Sequence, residues 1–287
     1  MKNLPILLLF VAVTAASAQS EKFGNYHLDQ EYKINATGTL RLKASDAKVI
    51  ITGSARATAH VKIDREVNVK GLTFGEQEFR VDISEESGNL SIREYKRGSV
   101  SGIVGYHSEK YTITIDVPDG ISLNINGDDG DYIIKSVNGA IELDADDADI
   151  ELLGCKGNFF HIKLDDGDLR MDMGQGELKV DADDADIHIK NASFEKIAVE
   201  IDDGDFIVET TLVENGNYFI SAQDGLVAMK VLGGGGKFEI RHDDSSIHAG
   251  TGFEFVERSE NRTRVATSTG SARVEIRADD ARVRLTR

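Results

Sequence analysis

Ala140-Ile141-Glu142-Leu143-Asp144-Ala145-Asp146-Asp147-Ala148-Asp149-Ile150-Glu151-Leu152 decides the fold of this chain. Apolar residues alternate with acids as far as Ala145, the period-two pattern of a half-buried strand. Asp146 to Asp149 breaks the alternation, and Ile150-Glu151-Leu152 resumes it. The stretch predicts a strand, a tight acidic corner and a second strand.

The corner returns along the chain. Asp-Asp-Gly-Asp stands at 128–131, 165–168 and 202–205, and Asp-Asp-Ala-Asp at 146–149 and 183–186, so the starts are 18 or 19 residues apart and the two forms alternate. Self-similarity at such a period marks a repeat architecture. Aligning the repeats puts Leu143 in one column with Ile125, Ile162, Val180, Val199, Ile220, Ile240 and Ile276. Ile150 aligns with Tyr132, Leu169, Ile187, Phe206, Val227, Ile247 and Val283. Between them Gly127, Ala145, Leu164, Ala182, Ile201 and Ala222 mix sizes, as interlocking layers require. Gly130, Gly167, Gly204 and Gly225 share a corner position with Ala148, Ala185 and Ala281. Positive φ is therefore not needed in every repeat, and a tight corner admitting only small residues is expected.

These columns predict an all-β fold, a right-handed parallel β-helix with coils of about 18–21 residues and a less regular N-terminal part. The hand rests on the rule for parallel crossovers and on the resemblance given below. Related corners at Ser45-Asp46-Ala47-Lys48 and Asp279-Asp280-Ala281-Arg282 place both ends in the same fold. One continuous domain over 36–287 is expected, with an irregular or inserted region at 71–110. A separate N-terminal subdomain ending near 110 is the alternative.

Residues 1–18 read as a cleaved secretory signal: Lys2, an apolar run from Leu4 to Ala16, and Ala16 and Ala18 at the small positions of the cut. Residues 19–35 form an N-terminal extension. No later segment has the roughly 18 apolar residues of a membrane span, so no integral membrane segment is expected after cleavage. The expected location is exported: periplasmic, cell-surface or extracellular. The formal net charge of −17 argues against nucleic acid as a partner and leaves cations or basic surfaces open. Cys155 is the only cysteine, which excludes an internal disulfide and a cysteine-held zinc.

Val117-Pro118-Asp119-Gly120, followed by Ile121, Leu123 and the turn Asp129-Gly130-Asp131-Tyr132, with similar turns at 166–169 and 203–206, resembles the bacterial "putative adhesin" family with a single-stranded right-handed β-helix, related to the head domain of autotransporter adhesins. The resemblance covers roughly residues 36–287. It implies an exported β-helix with an adhesive role, and supplies no catalytic residue.

The acidic corners are the candidate chemistry. A strand spacing of about 4.8 Å would stack Asp146, Asp165, Asp183 and Asp202 in one ladder and Asp147, Asp166, Asp184 and Asp203 in another. Such carboxylates either complete turns and face water, or pairs of them hold Ca²⁺ through oxygen ligands. No other cofactor is indicated. Three functions follow: a non-enzymatic adhesin or envelope-binding protein presenting an acidic surface, a structural envelope protein with Ca²⁺ on the Asp ladders, or a polysaccharide-acting enzyme. The last rests on fold analogy and on carboxylate spacing alone. A glycan or cell-surface protein is the expected partner, with self-association through the coil ends a further possibility, and the outer stretches 94–110 and 253–265 are candidate determinants of specificity.

Overall fold

Strand residues alternate between interior and solvent as the sequence dictates. In the computed structural model, which describes residues 24–74, 78–98, 101–243 and 245–287, the strand Ile141–Leu153 buries Ile141, Leu143, Ala145, Ala148, Ile150 and Leu152. Asp146 and Asp147 both face outward. Two consecutive outward positions shift the phase by one residue, so the strands on either side of the corner both keep their apolar side chains inside.

In chain order the strands are β1 (Tyr26–Lys33), β2 (Thr39–Ala44), β3 (Ala47–Ser54), β4 (Thr58–Phe74), β5 (Glu78–Glu86), β6 (Asn89–Arg97) and β7 (Ser101–Pro118). The middle holds β8 (Ser122–Gly127), β9 (Gly130–Lys135), β10 (Ile141–Leu153), β11 (Phe159–Asp203), β12 (Asp205–Thr211), β13 (Asn217–Ala222) and β14 (Leu226–Gly233). The chain finishes with β15 (Gly236–His242), β16 (Ile247–Ala249), β17 (Glu254–Arg258), β18 (Arg262–Ala266), β19 (Ala272–Ala278) and β20 (Arg282–Thr286). All belong to one hydrogen-bonded network.

The columns read from the sequence are ladders in the middle of the molecule. Ile125 pairs with Leu143 and Leu143 with Ile162, all parallel. After the corner, Tyr132 pairs with Ile150 and Ile150 with Leu169. Gly127 stays small because the Tyr132 ring fills its space: a Cβ there would come within 2.8 Å of Tyr132 Cζ. Cys155 is buried, and burial pushes its thiol pKa up, which suits an inert core residue.

The expected regular right-handed parallel β-helix is not what the chain forms. The sheet is mixed: β1–β4, β4–β7, β5–β6, β15–β18 and β17–β18 are antiparallel. Nor do the repeats stack in chain order. β2 lies between β6 and β8, and β3 between β7 and β9. At the other end β19 lies between β13 and β15, and β20 between β14 and β16. The physical reason is degeneracy: Ile276 in its column fits against Ile220 and Ile240 alike, so apolar alignment says which residues share a ladder and not the order of its rungs.

The run Gly233–Gly236, which the sequence marks only as a loop, is where the last repeat enters. A Cβ on Gly236 would overlap the Ala272 carbonyl, and one on Gly235 the Thr269 carbonyl. The Gly236 amide donates to Thr267 Oγ1 at 2.7 Å. Antiparallel hairpins then take the outer positions, β5–β6 beyond β2 and β17–β18 beyond β15, covering ladder edges that would otherwise invite pairing with another chain. Among the described residues no helix is long and apolar enough to cross a membrane. The expected signal at 1–18 lies outside the described residues.

Candidate functional site

The eight predicted ligand residues, Asp146, Asp147, Asp165, Asp166, Asp183, Asp184, Asp202 and Asp203, are all exposed at the corners. Asp147 and Asp166 are direct partners on adjacent parallel strands. Partial loss of water raises the Asp166 pKa, helped by a hydrogen bond shared with Asp147 and by the charges of Asp147 and Asp184. Asp165 is raised by the same loss of water and by Asp183 and Asp146. Neighbours offset some of this charge: Gln223 Nε2 donates to Asp202 Oδ1 at 2.6 Å, Arg170 pairs with Asp168, and the Asp205 amide donates to Asp186 Oδ1 at 2.9 Å. No group of three or more His, Cys, Asp or Glu able to hold a metal ion occurs among the described residues. The corners thus line the acids up layer on layer, Asp166 between Asp147 and Asp184 and Asp165 between Asp146 and Asp183.

Corner geometry also accounts for the Gly and Ala alternation. Gly167 adopts φ +118°, and a Cβ on it would overlap the Ala148 carbonyl; Gly204 stands in the same relation to Ala185. From 148 to 204 small side chains thus alternate with glycine, and beyond them Gly225 follows Gly204, whose carbonyl a Cβ on Gly225 would overlap.

A second feature lies on the outward face of the strands that surround the inserted β19. Lys196 of β11, Asn217 of β13, Arg273 of β19 and Lys237 of β15 are successive partners across four strands. The next outward row is Ala198, Phe219, Glu275, Glu239 and then Arg264 of β18. With Val256 of β17 leaning in from the hairpin, these residues line a groove of about 760 Å³. That lies within the span of about 300–1,000 Å³ usual for ligand sites.

Arginine pairs fix the wall of this groove. Arg264 donates to Glu239 Oε2 at 3.2 Å and approaches Glu257 Oε2 at 3.1 Å, and Arg262 pairs with Glu257 at 2.5 Å. Arg262 chiefly holds the Glu257 carboxyl below its ordinary pKa. For Glu239 the loss of water acts upward, but Arg264 and Arg241 outweigh it and the net shift is down. Both acids therefore carry charge at neutral pH and staple the β17–β18 hairpin to β15. Half-buried Phe219 forms the apolar floor, with the Arg277 guanidinium 4.9 Å from its ring centroid. Lys196 pairs with Glu177 at 3.4 Å. Arg273 and Lys237, side by side, have no ion-pair partner among the described residues.

Sequence reasoning singled out 253–265 as a determinant of specificity but not the cationic rows. A signal was present: residues 241–287 carry nine of the 16 arginines and only eight acids, in a chain with 50 acids against 33 Lys and Arg. Reading the corners alone hid this asymmetry.

No curated protein matches the chain. Among solved structures it is similar to a "putative cell adhesion protein" from Clostridium sporogenes, with 13% identity over 91% of this chain and 99% of the other and a TM-score of 0.26. It is also similar to a "putative adhesin" from Bacteroides fragilis, with 12% identity over 90% of this chain and 96% of the other and a TM-score of 0.49. Neither likeness is strong enough to carry an argument about ligand or role. The model of the Toastrack DUF4097 family matches residues 38–286. This match and the mixed pairing replace the expected membership of the β-helical adhesin family: the chain belongs to the Toastrack DUF4097 family.

Proposed function

We propose that this protein is a non-enzymatic binding module of the cell envelope, and that its contact surface is the groove between β13, β19, β15 and the β17–β18 hairpin. One observation carries the reading: the cations Arg273 and Lys237 stand together, without an acid partner among the described residues, beside the half-buried ring of Phe219, in a protein whose charge is otherwise strongly negative. Like charges held side by side on a rigid sheet are relieved by an anion that bridges them. The expected leader at 1–18 supports an exported location.

The test is binding of the labelled chain from Gln19 onward to purified envelope glycans and to intact cells. Ala198→Trp, which fills the groove from its floor, is expected to abolish binding, whereas Asp147→Asn with Asp166→Asn on the corners is expected to leave it intact. The bound glycan should be recovered at unchanged length. Undiminished binding by Ala198→Trp would remove the groove from the function.

A further inference from the structure

We infer that the groove takes a carboxylated saccharide, with an acidic sugar over Arg273 and Lys237 and a sugar face on Phe219. This rests on the groove being the binding surface, and it names the class of ligand.

Four features point to that chemistry. Arg273 and Lys237 are partners on adjacent strands, so their backbones are about 4.8 Å apart, close to the length of one pyranose residue. Carboxylates on a sugar chain can thus meet each cation in turn, and Arg offers a carboxylate its two-pronged N–H fork. Ala198 and Phe219 are neighbours in the next row, and beside the Arg277 guanidinium that covers one face of the ring they give an apolar floor for the C–H face of a sugar. Beyond it Glu275 and Glu239 present acceptors already fixed by Arg277 at 3.0 Å and Arg264 at 3.2 Å, positions from which they can receive hydroxyl donors without reorganising.

The same features disfavour the other anionic classes. The groove floor is the face of a sheet whose main-chain groups are engaged in ladders. It offers an extended acidic peptide no main-chain partners, so the peptide gains none of the backbone hydrogen bonds by which strand addition binds. A long polyanion such as nucleic acid would meet the field of a chain with net charge −17 outside this patch. A short saccharide carrying one or two carboxylates satisfies the patch without paying that repulsion.

The experiment titrates the chain from Gln19 onward calorimetrically with trigalacturonate, its fully methyl-esterified form and a tetraglutamate peptide, at low and moderate salt. Trigalacturonate is expected to bind, the ester at least about tenfold more weakly, and the peptide not measurably. Lys237→Glu and Arg273→Glu should each remove binding while the thermal midpoint holds; Arg273→Gln, which keeps a polar side chain, serves where the reversal unfolds the protein. Equal binding of ester and acid would overturn the carboxylate inference and leave the groove reading standing. Binding of the peptide alone would overturn the saccharide inference. Failure of all three probes, together with envelope binding that Ala198→Trp does not reduce, would overturn both.

Discussion

Arg65 Nε donates to Glu109 Oε1 at 2.7 Å, and the Arg65 side chain is completely buried. Its guanidinium also lies 4.2 Å from the Phe79 ring centroid, and Phe79 packs edge-on against Tyr26 and Tyr111. This cluster joins β4, β5 and β7 where the parallel ladders give way to antiparallel pairing. Glu109→Gln takes the carboxylate from the buried guanidinium, which keeps its bond to the Gly24 carbonyl, and is expected to cost about 1.5–3 kcal/mol in chemical denaturation. Arg65→Met with Glu109→Leu also takes the guanidinium from the Gly24 carbonyl and the Phe79 ring, and should cost more than Glu109→Gln alone. If the single change is neutral, the pair has no stabilising role.

The corners predict an asymmetry between two small residues. Gly167→Ala places a Cβ at φ +118° and against the Ala148 carbonyl, and should destabilise by about 1–3 kcal/mol. Ala148→Gly, at ordinary φ, should cost about 1 kcal/mol or less. Equal losses at both positions, measured by urea unfolding, would show that the corner does not distinguish its layers.

The Asp ladders should be least comfortable at neutral pH. Asp129, Asp165 and Asp166 have raised pKa values. Their contribution to stability is complete below the ordinary carboxyl pKa, about 3.9 for Asp, and is lost as pH rises through the raised folded-state values. Asp166→Asn is therefore expected to raise the thermal midpoint at pH 7, with the difference from wild type shrinking towards pH 4. Glu239 and Glu257 act in the opposite sense, since their pKa values are lowered: their contribution is present above the ordinary Glu range and lost as pH falls through the depressed values. Arg264→Gln should accordingly cost stability at pH 7 and less in acid. A midpoint for Asp166→Asn that falls at neutral pH would contradict the repulsion.

Exposed acids that form no metal-holding group of three or more among the described residues lead to a prediction for divalent ions. At constant ionic strength Ca²⁺ and Mg²⁺ should shift the thermal midpoint equally and without saturation, as screening does. Saturable, Ca²⁺-selective stabilisation reversed by chelator, and lost in Asp147→Asn with Asp166→Asn, would instead establish the Ca²⁺ site expected from Asp146 to Asp203.

Much of this protein is written in its local chemistry. Alternation in 140–152 determined which side chains point inward, the double Asp determined where the phase slips, and the recurrence of both determined which residues share a ladder, because each depends only on neighbours and on a period. The order of the ladders was decided in three dimensions. β2 enters between β6 and β8 and β19 between β13 and β15, because apolar alternation assigns a residue to its column and leaves the order of the strands to the packing of the whole sheet. The groove was decided there too: Lys237 and Arg273 are far apart in the chain and become neighbours only because the last repeat lies inside the sheet.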